Sequence, residues 1–455
     1  MFRKIIIIVL TAAGIFYFPQ SKSLAERFER QYTSPDLPGL EPITEEDRVL
    51  VLAPHPDDES LGAAGIIQEA VKAGADIRIV YLTNGEHNQF AFVVYEKRLV
   101  IKQGALIMMG EMRQAEARAA MKFLGVPEDK LIFLGYPDFG TLAIFLKYWE
   151  ESRPFKDMLT RISNVPYEDA LSPNAPYKGE AILSDIESVL KKYKPTKIFV
   201  TNPVDTNRDH RAIYLFLQIA LWNLEKEIPA PKIYPYVIHS YNWPMPHNYH
   251  PELFVSIPRM LKNSKIQWVS HKLSNEEVEK KYEAICMYKS QCAVSAFYLK
   301  SFARRNELFG AYPVVDLTNI EKLPEKARFQ IVTTFRDRTI AYGRVGENLM
   351  VNIFMKEESG KARGFYVNLA GYNPAINFSQ MPKIRVDAHK DSMSVLDRGK
   401  PIDSKEVTIE KKENSITLKI PLKVLDNPKY ILASVNTYTA NLPSDFNAWR
   451  VIKLE

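Results

Sequence analysis

A chain of 455 residues exceeds one ordinary domain and has room for two or three. Its 46% hydrophobic and 25% charged content is that of a globular protein, and the net charge of +6 is small and dispersed. There is no basic stripe to engage nucleic acid, and two cysteines exclude a disulfide scaffold.

At the N-terminus Arg3 and Lys4 precede an unbroken apolar run of 14 residues, Ile5 to Phe18, which Pro19 ends. That run is short for a membrane span and suits the apolar core of a signal peptide, with small residues at Ser23 and Ala25 for cleavage. Residues 1–25 are therefore expected to be a signal peptide or N-terminal anchor. The protein would be exported to periplasm, envelope or exterior, with any membrane association through this segment alone.

From Asp47 the pattern alternates between buried strand and helix. "RVLVLA", "DIRIVYLT", "KLIFLG" and "KIFVT" read as strands; "SLGAAGIIQEAVKAGA", "EMRQAEARAAMKF", "EAILSDIESVLKKY" and "AIYLFLQIALWNL" read as helices. This predicts an α/β, Rossmann-like, largely parallel sheet with flanking helices over residues 45–312. "EEVEKKYEAICMYKSQC" reads as one helix, which puts the Cα atoms of Cys286 and Cys292 roughly 9 Å apart along the axis, too far to bridge. Near Pro324 the character changes to short segments of period two, such as "NLMVNIFM", "GFYVNLAGY" and "ILASVNTYT". Residues 325–455 are expected to form an all-β sandwich, either a structural cap or a carbohydrate-binding unit in which Tyr372, Tyr438 or Trp449 stacks on sugar rings.

"HPDDE", residues 55–59, directly follows the first strand. Ligands of such sheets bind at the carboxyl ends of the strands, and adjacent carboxylates become tolerable there when a cation sits among them. A second cluster, "DTNRDHR" at 205–211, follows a later strand. His55, Asp58 and His210 make a two-His, one-carboxylate set with an open position, the pattern of catalytic zinc, and Asp57 beside it is a candidate general base. A magnesium site for phosphoryl chemistry and a plain surface turn are the other readings of this spacing.

"APHPDDE", "YLTNGEHN", "RQAEARAAMKFLGV", "FLGYPDFG" and "DTNRDHRAIY", in this order, resemble the motifs of the zinc-dependent N-deacetylases of the PIG-L/LmbE type, which act on N-acetylglucosaminyl glycolipids and related amino sugars. The resemblance spans residues 45 to 310 and implies Zn2+ on His55, Asp58 and His210, Asp57 as general base, and Arg113 and Asp138 on sugar hydroxyls. It departs at Asn207, where the family often carries a His that stabilises the oxyanion and protonates the leaving amine. Asn207 can donate a hydrogen bond but no proton; His87 is a speculative substitute. Asp209 is expected to orient His210 or a neighbouring proton carrier. Glu59 is expected to support the turn.

The sequence thus points to a zinc-dependent N-deacetylase of N-acetylglucosamine-type sugars in an envelope or extracellular glycan or glycolipid. Its rivals are a glycan-binding protein with a degenerate site, for which Asn207 is the best support, and a metal hydrolase of another amide or of a phosphoester. His239, His247 and His250 with Trp243 read as loop and edge residues, with a substrate groove as the alternative.

Overall fold

The computed structural model describes residues 36–87, 103–322, 328–335, 338–355, 363–389, 392–403, 405–412, 415–439, 442–443 and 448–455. The expected signal segment lies outside them. Among the described residues no helix is long and apolar enough to cross a membrane.

The first part is a seven-stranded sheet in the order β3-β2-β1-β4-β5-β7-β6. Its strands are β1 Arg48–Ala53, β2 Asp76–Thr83, β3 Leu131–Tyr136, β4 Lys197–Thr201, β5 Lys232–Tyr236, β6 Gln267–Lys272 and β7 Asn306–Ala311. The first five are parallel, and β7 pairs antiparallel with both β5 and β6. β1 is an almost continuous apolar run because both its faces are covered, as expected of a central parallel strand. One face packs on α1 Asp58–Ala73, α2 Gln103–Phe123 and α6 Asn275–Met287. The other packs on α3 Thr141–Lys147, α4 Gly179–Tyr193 and α5 Arg208–Asn223. The strand order reverses between β1 and β4, so the loops leaving these two strands open the crevice where such sheets bind ligands.

The antiparallel strands β6 and β7 were not expected. "NELFGA" and "QWVSHK" are short and lack a strict alternation, and their strand state comes from pairing with each other. The cysteine segment is two helices, not one: α6 ends at Met287, and α7 Lys289–Leu299 follows. Tyr288 at the break turns its hydroxyl into the site as a donor to Glu59. Both cysteines are free thiols.

The second part is a sandwich of a five-stranded sheet and an eight-stranded sheet. β9 Phe329–Phe335, β10 Arg338–Val345, β11 Asn348–Met355, β16 Thr408–Lys412 and β17 Ser415–Pro421 make the first sheet. The second is built around β12 Arg363–Tyr372, β13 Lys383–His389, β14 Ser392–Asp397 and β18 Tyr430–Thr439, with the two-residue strands β15 Lys400–Pro401 on β14 and β19 Leu442–Pro443 on β18. Its edge strand β8, Val315–Asp316, pairs with β20 Arg450–Lys453, so the sandwich begins ahead of residue 325.

Alternation along β12 explains how the two parts join. Phe365, Val367 and Leu369 face the sandwich interior, whereas Ala370 and Tyr372 enter the core built on α3, α4 and α5. Phe378, Met381, Leu432 and Trp449 join them there. Phe145 of α3 meets Phe216 of α5 and Trp449 edge-on, at centroid distances of 5.1 and 6.3 Å. Trp449 N–H donates to Pro203 O at 3.3 Å, in the loop that leads to His210. Tyr372 and Trp449 are thus 4% and 2% exposed and serve the joint between the domains; the expectation that they present open faces to sugar is corrected. The side chain of Tyr438 lies outside the described residues.

Candidate metal centre

The turn after β1 is held from every side. Thr83 N–H donates to Pro54 O at 3.0 Å, Asp58 N–H to His55 O at 3.2 Å, and Leu61 N–H to Asp57 O at 2.9 Å. Arg113, buried on α2, donates from Nη2 to Pro56 O at 2.6 Å and from Nη1 to Gly85 O at 2.9 Å, and Nη2 lies 3.3 Å from Asp57 Oδ2. Glu59 Oε2 accepts from Asp57 N–H at 3.1 Å, and its Oε1 accepts from the hydroxyls of Ser60 and Tyr288. These bonds fix Asp57 at φ 126°, a backbone conformation that costs a non-glycine residue about 1–3 kcal/mol.

Helix α1 begins at this turn and breaks at Ala63, where φ is −142°. The break frees backbone groups, and a buried ion pair collects them. Lys281 of α6 donates to Leu61 O at 2.8 Å and to Glu307 Oε1 at 2.7 Å, while Glu307 accepts from Gly65 N–H at 2.8 Å and Ile66 N–H at 3.3 Å. Gly62 lies against the ring of Tyr236, where a Cβ would fall 2.2 Å from a ring carbon.

Three buried ligand atoms converge at the β1–β4 crevice. His55 Nδ1 lies 3.0 Å from Asp58 Oδ2, His210 Nε2 lies 3.1 Å from the same oxygen, and the two nitrogens are 3.2 Å apart. Ligands at about 2.1 Å from a tetrahedral ion sit about 3.4 Å from one another, so this near-equilateral triangle fits a small divalent cation. The donor set fits too: two imidazoles and one carboxylate among buried surroundings.

A ring of carboxylates backs the ligands. Asp205 Oδ2 stands 3.2 Å from His210 Nδ1 and accepts from Ile238 N–H and His239 N–H at 2.9 and 2.8 Å. Asp138 Oδ1 and Asp209 Oδ2 stand 3.1 and 3.3 Å from His55 Nε2. Together they turn each imidazole so that its other nitrogen faces the triangle, the arrangement in which outer carboxylates set ligand tautomer and basicity. In the metal-free chain burial alone would lower the pKa of His210, but Asp205 and Asp58 outweigh it and bring it to about 9. Burial likewise works against protonated His55, and Asp138, Asp209 and Asp58 raise it regardless. Asp57 moves up to about 8, chiefly through burial, with Arg113 opposing and Asp58 adding to the rise.

The structure brings His55, Asp57, Asp58 and His210 into one place. Arg113 reaches the Asp57 turn, and its neighbour Glu116 is engaged elsewhere, accepting from Ser290 N–H and Oγ. Asp138 Oδ2 accepts from His87 N–H at 3.0 Å, beside its contact with His55. Asn207 is the N-cap of α5, its Oδ1 accepting from Asp209 N–H at 2.9 Å. Asp209 faces His55 and the 139–141 turn, accepting from Phe139 N–H at 2.6 Å and from Thr141, so it orients the first histidine and not its neighbour His210. His87 Nε2 lies 2.8 Å from Asp157 Oδ1. His239 stands against His210, ring centroids 4.8 Å apart, whereas Trp243 is a core residue bonded to Ser256 O. Sequence reasoning missed Asp205 as the partner of His210; its position between Asn202 and Asn207 in an Asp-rich loop was the available signal.

A buried group able to hold a metal ion, His55, Asp58 and His210, lies at the reversal point of a Rossmann-like sheet. Residues 50–221 match the model of the family described as PIG-L, GlcNAc-PI de-N-acetylase. The 1D-myo-inositol 2-acetamido-2-deoxy-alpha-D-glucopyranoside deacetylase of Mycobacterium avium (strain 104) is 37% identical over 86 residues, 19% of this chain and 28% of that protein. The protein of the same description from Mycobacterium sp. (strain KMS) is 39% identical over 90 residues, 20% of this chain and 28% of its own. These matches thus span less than a third of the curated relatives' length. Among solved structures, the N,N'-diacetylchitobiose deacetylase from Pyrococcus horikoshii is similar at 18% identity and a TM-score of 0.36, over 65% of this chain and 94% of that one.

Proposed function

We propose that this protein is an exported, zinc-dependent hydrolase that removes the N-acetyl group from N-acetylglucosamine-type sugars of an envelope or extracellular glycan or glycolipid. The observation that carries the reading is Asp57: a buried carboxylate held in a strained backbone conformation, next in the chain to Asp58 and outside the His55, Asp58 and His210 group. The family match supports the reaction class. The basic and apolar N-terminal segment supports export, which makes a glycan outside the cytosol the better substrate.

When bound by His55, Asp58 and His210, zinc would supply a Lewis acid that polarises the acetamide carbonyl and acidifies water. Asp57 takes the proton of the attacking water and returns it to the amine as the C–N bond breaks, leaving acetate and the free amino sugar. Burial favours the neutral form of Asp57, and a cation held by the neighbouring ligands would favour its ionised form, the one a general base needs. Arg113 holds Asp57 in place through Pro56 O and Gly85 O; Asp138 and Asp209 hold His55. Asn207, with its carbonyl engaged as a helix cap, offers its amide NH2 to the oxyanion. With no histidine at that position, proton return falls to Asp57.

The reading is tested by metal content and substrate choice together. Zinc at one equivalent per chain and amine formation from N-acetylglucosamine oligomers support it. Turnover confined to phosphoesters or to N-acetyl amino acids would replace it with a different metal hydrolase.

A further inference from the structure

His239 lies just beyond β5, and its backbone is clamped to the loop that carries His210. Its N–H donates to Asp205 Oδ2 at 2.8 Å, and its carbonyl accepts from Thr206 N–H at 3.2 Å and from the Thr206 hydroxyl at 3.3 Å. With both main-chain groups engaged, the ring has a fixed place. Its centroid is 4.8 Å from that of His210, and the ring of Tyr298, on α7, lies nearly parallel to it at 6.2 Å and 11°. Tyr298 is pinned in turn, its hydroxyl donating to Ile238 O at 2.7 Å, on the residue before His239.

The nitrogens of this imidazole are unused. Among the described residues neither has a hydrogen-bond or ion-pair partner, and neither is sealed from solvent, because the side chain is partly exposed. The other polar side chains near the ligand atoms are committed. Arg113 donates to Pro56 O and Gly85 O, Tyr288 to Glu59, and Asp209 accepts from Phe139 and Thr141. The charged groups that act on the His239 ring are Asp205, His210, Asp58 and His55, so it borders the ligand triangle and not the outer side of the loop. Burial disfavours its protonated form, with Asp205 opposing and His210 adding. A neutral imidazole keeps one N–H to give and one lone pair.

We propose that His239 donates a ring N–H to the acetamide oxygen of the substrate, holding that oxygen at the metal centre as it gains negative charge. The inference rests on the deacetylase reading for the identity of the oxygen. It adds a rigidly placed donor from the β5 side to the Asn207 amide on the α5 side. A donor of this kind binds the oxyanion more strongly than the ground-state carbonyl, so it acts on kcat more than on KM.

The test compares His239→Phe, which keeps the ring stack and loses the donor, with His239→Gln, which keeps a donor, in the full zinc-loaded chain. Expected for His239→Phe is a kcat on N-acetylglucosamine oligomers about 100-fold lower, with KM little changed, and a recovery of about tenfold in His239→Gln. A second readout does not depend on turnover. Acetate, whose carboxylate oxygen stands in for the oxyanion, is titrated into each chain and followed by the line width of its methyl resonance. It should bind about tenfold more weakly to His239→Phe than to the unsubstituted chain, with most of the loss regained in His239→Gln. Metal analysis should find one equivalent of zinc in all three. Unchanged acetate affinity in His239→Phe, equal impairment of the two variants, or zinc lost with the ring overturns the inference; the last outcome would make His239 a ligand or the support of one. No acetate release by the unsubstituted chain refutes the reaction alone, and the acetate titration still decides the donor.

Discussion

Asp205 Oδ2 stands 3.2 Å from His210 Nδ1, on the far side of the ring from His55 and Asp58, and its oxygens also gather three backbone N–H groups, those of Asn207, Ile238 and His239. One carboxylate therefore backs the His210 ring and ties the α5 loop to the chain leaving β5. Outer-shell partners of this kind alter metal affinity about 10–100-fold when changed. Asp205→Asn is expected to lose zinc affinity in that range, measured by competition with a chromophoric chelator, while the metal-free chain keeps its fold by circular dichroism.

Metal uptake should release protons. His210 is held protonated up to about pH 9 in the metal-free chain, because Asp205 and Asp58 outweigh the effect of burial. A metal must displace that proton at pH 7, so affinity should rise as pH increases from 6 toward 9. Calorimetry in buffers of different ionisation enthalpy reads the proton count directly.

The buried pair Lys281–Glu307 repairs the break in α1 and so supports the helix on which Asp58 sits. Removing one partner leaves an uncompensated buried charge, at a cost of about 3–5 kcal/mol. Lys281→Met alone is expected to lose that much in urea unfolding. Lys281→Met with Glu307→Gln should recover part of it by removing the stranded charge.

The two parts of the chain share one apolar core. Trp449→Ala is expected to cost about 3–5 kcal/mol in unfolding free energy, as large aromatic truncations in cores do. A chain ending at Tyr312 would expose the helix faces that Tyr372, Phe378, Leu432 and Trp449 cover, and should be insoluble when expressed alone.

Acid stability has a separate source. Burial would raise the Asp47 carboxyl, but hydrogen bonds from Lys197, Thr44 and Thr196 outweigh it and hold the group at about 2. A depressed carboxyl contributes stability above its unfolded value near 3.8 and loses it as pH falls from there through about 2. Asp47→Asn should flatten the pH dependence of the melting temperature in that window and leave its slope above pH 5 unchanged.

Much of this site is local in sequence, and that is why it was legible. His55, Asp57 and Asp58 share one turn, and His210 follows a strand whose apolar run marks it as central. The supports are not local. Glu307 reaches Gly65 across 242 positions, and Tyr288 reaches Glu59 across 229, so nothing near either residue announces the contact. The α6–α7 break falls at Tyr288 itself, and nothing local marks it because both halves carry helical spacing. Trp449 and Tyr372 alternate as core residues do, but only the docked helices show that the outer face of their sheet is also buried.

In the proposed mechanism Asp57 acts on a water at a zinc held by His55, Asp58 and His210. The measurement that tests it most directly is acetate release from N-acetylglucosamine oligomers by the zinc-loaded chain and by Asp57→Asn, with zinc content determined on the same samples. Expected is zinc-dependent release that falls at least 100-fold in Asp57→Asn, with zinc still bound at one equivalent. Full activity in Asp57→Asn at normal zinc content would contradict it.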